Sequence, residues 1–212
     1  MSAGDATRLV VVRHGETDWN VAQRIQGHTD IPLNDTGRRQ AAQAAAALAG
    51  EGLAAVYSSD LARAHETASA IARAAGLAVV ADAALRERAF GHFEGVPFRE
   101  LEQRHPEQVR RWRERDPGFG PEGGEVLRDF YARAVGAALR IAARHPGEAI
   151  ALVAHGGVLD CLYRAATGQA LDAPRTWQLG NASINRLLAA DGRLVLVGWN
   201  DDGHLETAPV EA

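Results

Sequence analysis

Apolar residues fall along this chain in two unbroken runs and several periodic ones. Residues 9–12, Leu-Val-Val-Val, and residues 149–154, Ala-Ile-Ala-Leu-Val-Ala, show no polar alternation. Such runs read as strands covered on both faces, the habit of a parallel sheet. Both runs end alike, the first in Arg13-His14-Gly15 and the second in His155-Gly156-Gly157. Shorter strands are predicted at 54–59 and 77–80. Residues 186–190 and 194–199, joined at Asp191-Gly192, predict a hairpin.

Helical patterns lie between these runs. Asn34-Asp35-Thr36-Gly37 opens a helix over 38–49, which Gly50 and Gly52 close. Another helix begins at Asp60. Residues 98–115 are strongly charged and helical in pattern, with Pro106 opening a second short helix. Over 126–145, Val126, Phe130, Ala134, Ala137, Ala138 and Ile141 share one stripe, and a last long helix covers 158–166. The polar stretch 17–33 reads as a long functional loop. Strands alternating with helices predict an α/β fold: an open, mostly parallel sheet with helices on both faces. Ligands of such sheets sit outside the carboxyl ends of the strands, where both histidines fall.

The 212 residues hold no linker, repeat or low-complexity block, so a single domain is expected over 1–212, with residues 1–7 and about 203–212 as frayed tails. A net charge of -4 gives no reason to expect a nucleic-acid partner, and any anion must be met by local cations. No segment is apolar enough for a signal region or a membrane span, which makes a cytoplasmic location the expectation. Nothing in the pattern speaks to the number of subunits.

The single cysteine, Cys161, excludes an internal disulfide, and the position six residues later holds Thr167 rather than the arginine that a cysteine phosphatase needs. Cys161 is therefore read as a small packed residue on a helix. Gly118-Phe119-Gly120-Pro121-Glu122-Gly123 matches a dinucleotide fingerprint by letter, but no hydrophobic strand precedes it. There is no His-Glu-x-x-His and no cysteine cluster, so no metal and no cofactor are expected. His28, His92, His105, His145 and His204 belong to no motif and are expected at the surface.

Arg13-His14-Gly15-Glu16-Thr17, followed by Trp19-Asn20, resembles the signature of the histidine phosphatase superfamily, which includes cofactor-dependent phosphoglycerate mutases and many small-molecule phosphatases. Companions extend the resemblance over most of the chain. The segment 24–33, with Gln26-Gly27, is similar to the family's second loop beside the phosphate pocket. Ser58 to Ala68 resembles the element that brings a second arginine, here Arg63. Leu85 to Gly95 resembles the segment whose first glutamate, here Glu87, is the proton donor. Gly123-Gly124-Glu125 and Asn181-Ala182-Ser183 also match family turns.

The resemblance implies a phosphoglycerate mutase-like fold and a phosphomonoesterase acting on a small phosphorylated metabolite. His14 would attack phosphorus to form a phosphohistidine, with Arg13, Arg63 and His155 holding the phosphoryl oxygens. Glu87 would protonate the leaving alkoxide and then activate water. Asn20, Gln26, Gly27 and Gly156 would complete the phosphate shell. The region after Glu87 is too short for the insertion with paired arginines found in mutases, which weighs toward hydrolysis. The alternative is a phosphoglycerate mutase needing a bisphosphoglycerate primer. Residue by residue, blander readings stay open: a helical arginine at 63 is ordinarily exposed, Glu87 between Arg86 and Arg88 is also what a solvated ion pair looks like, and the arginines of 110–115 fit either a basic lid or a solvated helix face.

Overall fold

The central strand of the protein is the first one. In the computed structural model, which describes residues 6–206, β1 (Thr7–Arg13) pairs in parallel with β4 (Ala149–Ala154), Val12 beside Val153. On its other side it runs antiparallel to β5 (Ile184–Ala190), with Val11 beside Asn185. β2 (Leu53–Ser58) lies parallel to β4 and to the short β3 (Val79–Ala81), and β6 (Arg193–Asp201) closes the hairpin with β5. The result is a six-stranded sheet in the order β3-β2-β4-β1-β5-β6.

This placement explains the two unbroken apolar runs. Leu9, Val11, Leu152 and Ala154 point into a core completed by α6 (Leu127–Ala142) and α7 (Gly156–Thr167), through Phe130, Ile141 and Leu159. Val10, Val12, Ala151 and Val153 point the other way, into α2 (Asp35–Leu48) and α3 (Ala62–Ala75), through Ala45, Leu48, Ala64 and Ile71. A strand with no polar positions is thus one with no solvated face, and each of its large side chains contributes about 1.5–3 kcal/mol by burial.

A third, smaller core caps the carboxyl ends of the strands. Ile25, Phe93, Leu101, Val109 and Phe119 are buried together, with Phe90, Phe98 and Trp112 packed against them. They tie α4 (Phe98–Arg104) and α5 (Pro106–Arg113) over the segment that carries Glu87. Among the described residues, no helix is long and apolar enough to cross a membrane.

Several sequence expectations need correction. The stretch 17–33 is not all loop: Thr17 and Asn20 form a reciprocal capping box that nucleates a single helical turn, α1 (Asp18–Val21). Thr7 is not frayed, since it is buried and its Oγ1 donates to the carbonyls of Ala142 and His145, both at 2.8 Å. Residues 203–205, expected in the carboxyl tail, are ordered as a 3-10 turn, Gly203–Leu205, just after β6 ends at Asp201. The rest of the two expected tails, residues 1–5 and 207–212, lies outside the described residues.

Candidate active site

His14 follows β1 directly, and the backbone holds it on both sides. Its N–H donates to the Ala154 carbonyl at 2.9 Å, while its own carbonyl accepts from Ala182 N at 3.2 Å and Asn181 Nδ2 at 3.0 Å. The next residue, Gly15, lies where any Cβ would come within 2.4 Å of the Gly37 carbonyl oxygen. Side-chain-free residues at both positions let the turn seat against the start of α2.

The ring of His14 donates from Nδ1 to the Gly15 carbonyl at 2.7 Å. A carbonyl only accepts, so the proton of the neutral ring is on Nδ1 and the lone pair is on Nε2. Burial, then Arg63 and Arg13, holds the His14 pKa well below the usual histidine value. The ring is therefore neutral and nucleophilic at pH 7. His155, at the end of β4, packs edge-on against it with centroids 5.2 Å apart. Burial, with Arg63 next in weight, lowers its pKa in the same way, and neither of its ring nitrogens has a protein partner.

Beside His14 lies a cavity of ≈ 130 Å³, lined by Arg13, His14, Ile25, Gln26, Gly27, Arg63, Glu87, Phe90 and Trp112. Arg63 is not an exposed helical arginine but fully buried, donating to the carbonyls of Gly27 at 2.7 Å and Thr29 at 3.0 Å. Arg13 donates to the Leu179 carbonyl, and burial of its guanidinium lowers its pKa to about 10, which keeps it charged at neutral pH. Neither arginine forms an ion pair among the described residues, and the Nε of each is buried without a partner, as is Gln26 Oε1. An unmade hydrogen bond at a buried group costs about 1–3 kcal/mol. The orphaned atoms of Arg13, Arg63 and Gln26 belong to residues that line this one cavity, and the partnerless His155 ring packs against His14 next to it.

Glu94 shapes the loop that walls this cavity. Its carboxylate accepts from the N–H groups of His28, Thr29 and Phe90 at 3.0, 2.9 and 2.9 Å and from Thr29 Oγ1 at 2.8 Å. Burial pushes its pKa up, but these bonds outweigh burial and leave it below the ordinary value. Gly27 stands at φ +54°, and a Cβ there would lie 2.1 Å from Glu94 Oε1.

Glu87 is held as an internal carboxyl rather than as a surface ion pair. Oε2 accepts from Gly157 N at 3.0 Å and Oε1 from Arg88 N at 2.9 Å. Its flanking arginines turn elsewhere: Arg86 makes a two-pronged pair with Asp60, and Arg88 donates to the carbonyls of Phe119 and Glu125. Arg133 secures the segment from behind. It donates to the carbonyls of Ala84, Arg86 and Glu87 and pairs with Glu125 at 2.6 Å, while Glu125 also accepts from Ala89 N at 2.9 Å. His28 Nε2 donates to the Glu87 carbonyl at 2.9 Å.

The residues singled out from sequence thus divide. Arg13, His14, Gln26, Gly27, Arg63 and Glu87 meet at one cavity. His155 packs edge-on against His14 and is not among the residues that line the cavity. Asn20 does not line it either, because its Oδ1 is taken by the N–H and hydroxyl of Thr17 at 3.0 Å each. Gly156 lines an adjoining, more open cavity. Next to Gly156, in the first turn of α7, the Gly157 N–H is given to Glu87. The arginines of 110–115 divide: Arg110, Arg111 and Arg113 pair with Glu107, Glu114, Asp116 and Glu102, Arg115 pairs with the buried Asp160 in a neighbouring cavity that Glu87 also lines, and it is Trp112 that reaches the site beside His14. None of the five histidines expected at the surface is fully exposed, and His28 has a place in the site. Sequence reasoning also passed over Arg133, Glu125 as its partner, and Gly157, where a Cβ would lie 2.2 Å from Glu87 Oε1. Among the described residues no group of three or more His, Cys, Asp or Glu is placed to hold a metal ion.

Residues 9–202 match the histidine phosphatase superfamily, branch 1. The chain is 41% identical over 206 residues to phosphoglycerate mutase-like protein 4 of Arabidopsis thaliana, covering 95% of this chain and 88% of that protein. It is 36% identical over 206 residues to a metal-independent phosphoserine phosphatase of the same plant, covering 96% and 85%. Among solved structures, the mycobacterial glucosyl-3-phosphoglycerate phosphatase in complex with VO3 superimposes with a TM-score of 0.83 at 35% identity, over 92% of this chain and 99% of that one.

Proposed function

Because the chain belongs to the histidine phosphatase superfamily, branch 1, we propose that it is a metal-independent phosphomonoesterase of the cytoplasm, hydrolysing a small phosphorylated metabolite through a phosphohistidine on His14. The observation that carries this reading is the gathering of buried donors without partners, Arg13 Nε, Arg63 Nε and the His155 ring, around a neutral imidazole whose Nε2 is free. A phosphoryl group is the ligand that satisfies them at once, and both guanidiniums suit its oxygens.

The proposed sequence has two displacements. His14 Nε2 attacks phosphorus, the bond to the ester oxygen breaks, and Glu87 delivers a proton to that oxygen as it leaves. Glu87 then removes a proton from water as its oxygen attacks the phosphohistidine, which releases phosphate and restores the free ring. Arg13, Arg63 and His155 meet the negative charge spread over the phosphoryl oxygens in both transition states. Gln26 and Gly27 border the same space, whereas Asn20, which caps α1, and Gly156, which lines the adjoining cavity, stand outside it.

Relatives named as phosphatases support hydrolysis over transfer to a second hydroxyl. Incubation with 3-phosphoglycerate, with and without a bisphosphoglycerate primer, tests the choice. Release of inorganic phosphate, abolished in His14→Ala, is the expected result; primer-dependent formation of 2-phosphoglycerate replaces this reading with a mutase, and undiminished release by His14→Ala removes the assigned nucleophile.

A further inference from the structure

Asp160 is a buried carboxylate with no part in the displacements described above. It lies in α7, the helix that follows His155, and is 3% exposed. Its Oδ2 accepts from Arg115 Nη2 at 2.5 Å and from Arg164 Nε at 3.0 Å. Resting on the function proposed above, we propose that Asp160 is a positioning residue: through Arg115 it pins the end of α5, and so holds Trp112 in place as a wall of the phosphoryl cavity.

The need for such a tie follows from how α5 is packed. Arg110 and Arg113 spend their charge on exposed pairs, which hold a helix only weakly. Val109 and Trp112, on the inner side, pack with Phe90, Phe93 and Phe98. That small core is separate from the main one, to which α7 contributes Leu159 and Leu162. Arg115 is a side chain that crosses from one to the other.

Its geometry is that of a held residue. Directly after α5, its N–H donates to the Trp112 carbonyl at 3.0 Å. Its φ is +56°, a left-handed backbone that a residue with a side chain adopts only when its surroundings keep it there. The guanidinium supplies that hold by donating to Asp160 and, from Nε, to the Leu171 carbonyl at 2.8 Å. Burial lowers the Arg115 pKa, and Asp160 is the largest influence opposing the fall.

Asp160 is the fixed end of this tie. Arg164, fully buried, binds the same Oδ2 and spreads its other donors over the carbonyls of Ala170 and Ala173, with its guanidinium 4.8 Å from the centre of the Trp177 ring. The held end is the turn after α5, whose hydrogen bond leads back to Trp112. The indole borders the phosphoryl cavity together with Arg13, His14 and Arg63. There it confines the phosphoryl group and keeps water from the guanidiniums in the ground state and the transition state alike. Releasing it removes binding common to both, and such a loss is read in KM rather than in kcat.

Arg115→Asn tests this most cleanly. Asparagine tolerates the left-handed backbone, and Asp160 keeps Arg164, so no buried charge is stranded. KM is expected to rise about tenfold for an alkyl phosphate and for 4-nitrophenyl phosphate alike, with kcat little changed, within the range that a misplaced binding wall costs. Calorimetric titration with inorganic phosphate, which needs no turnover, is expected to show about the same loss of affinity. Asp160→Asn leaves two guanidiniums without a counter-charge and is expected to lower Tm; where it folds, the double variant raises KM no further than the more affected single one. If it does not fold, Arg115→Asn decides alone. A lower Tm with KM and phosphate affinity unchanged makes the pair mere scaffolding and overturns the proposal, as does a loss confined to kcat for alkyl esters. Weakened phosphate binding in Arg115→Asn, beside an unaltered protein that releases phosphate from neither ester, upholds the tie and overturns the phosphatase reading instead.

Discussion

Gly157→Ala displaces the proposed proton donor, Glu87, without replacing it. The alanine Cβ would stand 2.2 Å from Glu87 Oε1, 3.1 Å from Glu87 Cδ and 3.2 Å from Phe130 Cε1. Ordinary contact begins near 3.4 Å, so the carboxyl group has to retreat by more than 1 Å. It then loses the 3.0 Å bond from Gly157 N. The substitution is benign for the backbone: Gly157 sits in the first turn of α7 without a positive φ, and alanine there favours the helix by up to about 1 kcal/mol. The fold is therefore expected to survive while the acid is misplaced. Positioned acid catalysis is worth about 10²–10⁴ in rate, most of it owed to poor leaving groups. With phosphate release as the assay, the ratio of kcat for an alkyl ester to kcat for 4-nitrophenyl phosphate is expected to fall about a hundredfold. Gly136→Ala is the control, since a Cβ there meets nothing within 4 Å; the same rates with a slightly higher Tm are expected. Unaltered kcat for alkyl esters in Gly157→Ala, or losses of equal size for both ester types, refutes the role given to Glu87.

Two further outcomes follow from the same geometry. Arg133→Lys keeps the charge but not the fork that spans the carbonyls of Ala84, Arg86 and Glu87, so kcat for alkyl esters is expected to drop about tenfold or more with KM little changed; a uniform loss that tracks Tm would mark Arg133 as mere scaffolding. His14 and His155 bind protons in the unfolded chain near 6.5 but only at lower pH when folded, because burial depresses both. Stability is thus complete above about pH 6.5 and falls with acidification by up to about 1.4 kcal/mol per pH unit for each ring, until the folded values are reached. Urea denaturation between pH 7.5 and 5 should show a flatter acid slope for His155→Gln than for the unaltered protein, and identical slopes would contradict the assignment.

What was legible in the sequence was mostly what is local. Leu9 to Val12 and Ala149 to Ala154 announce buried strands because no residue in them tolerates water, and a histidine after each marks the strand end where ligands collect. Arg13, His14, Arg63 and Glu87 were readable because their spacings repeat a family pattern. The residues passed over act across long separations. Arg133 meets Glu87 from 46 positions away, and Gly157 meets it from 70. An arginine on an amphipathic helix or a glycine at a helix start carries no local sign of such a partner. The arginines of 110–115 misled in the opposite sense. Apart from Arg115, which reaches Asp160 45 positions away, their charge is spent on neighbours such as Glu107 and Glu114, one turn away, and the single aromatic among them is the residue that faces the cavity beside His14.

The central seat of β1 bears on how the protein comes into being. The strand that leads into His14 leaves the ribosome before both of its neighbours, β4 and β5, whose residues opposite Val11 are Leu152 and Asn185. Until most of the polypeptide has been synthesised, the most apolar segment has no sheet to join and both its hydrogen-bonding edges stand open. Catalytic competence therefore cannot precede completion of the tertiary structure, and a nascent chain stalled before β4 is a client for chaperones rather than a partly working enzyme.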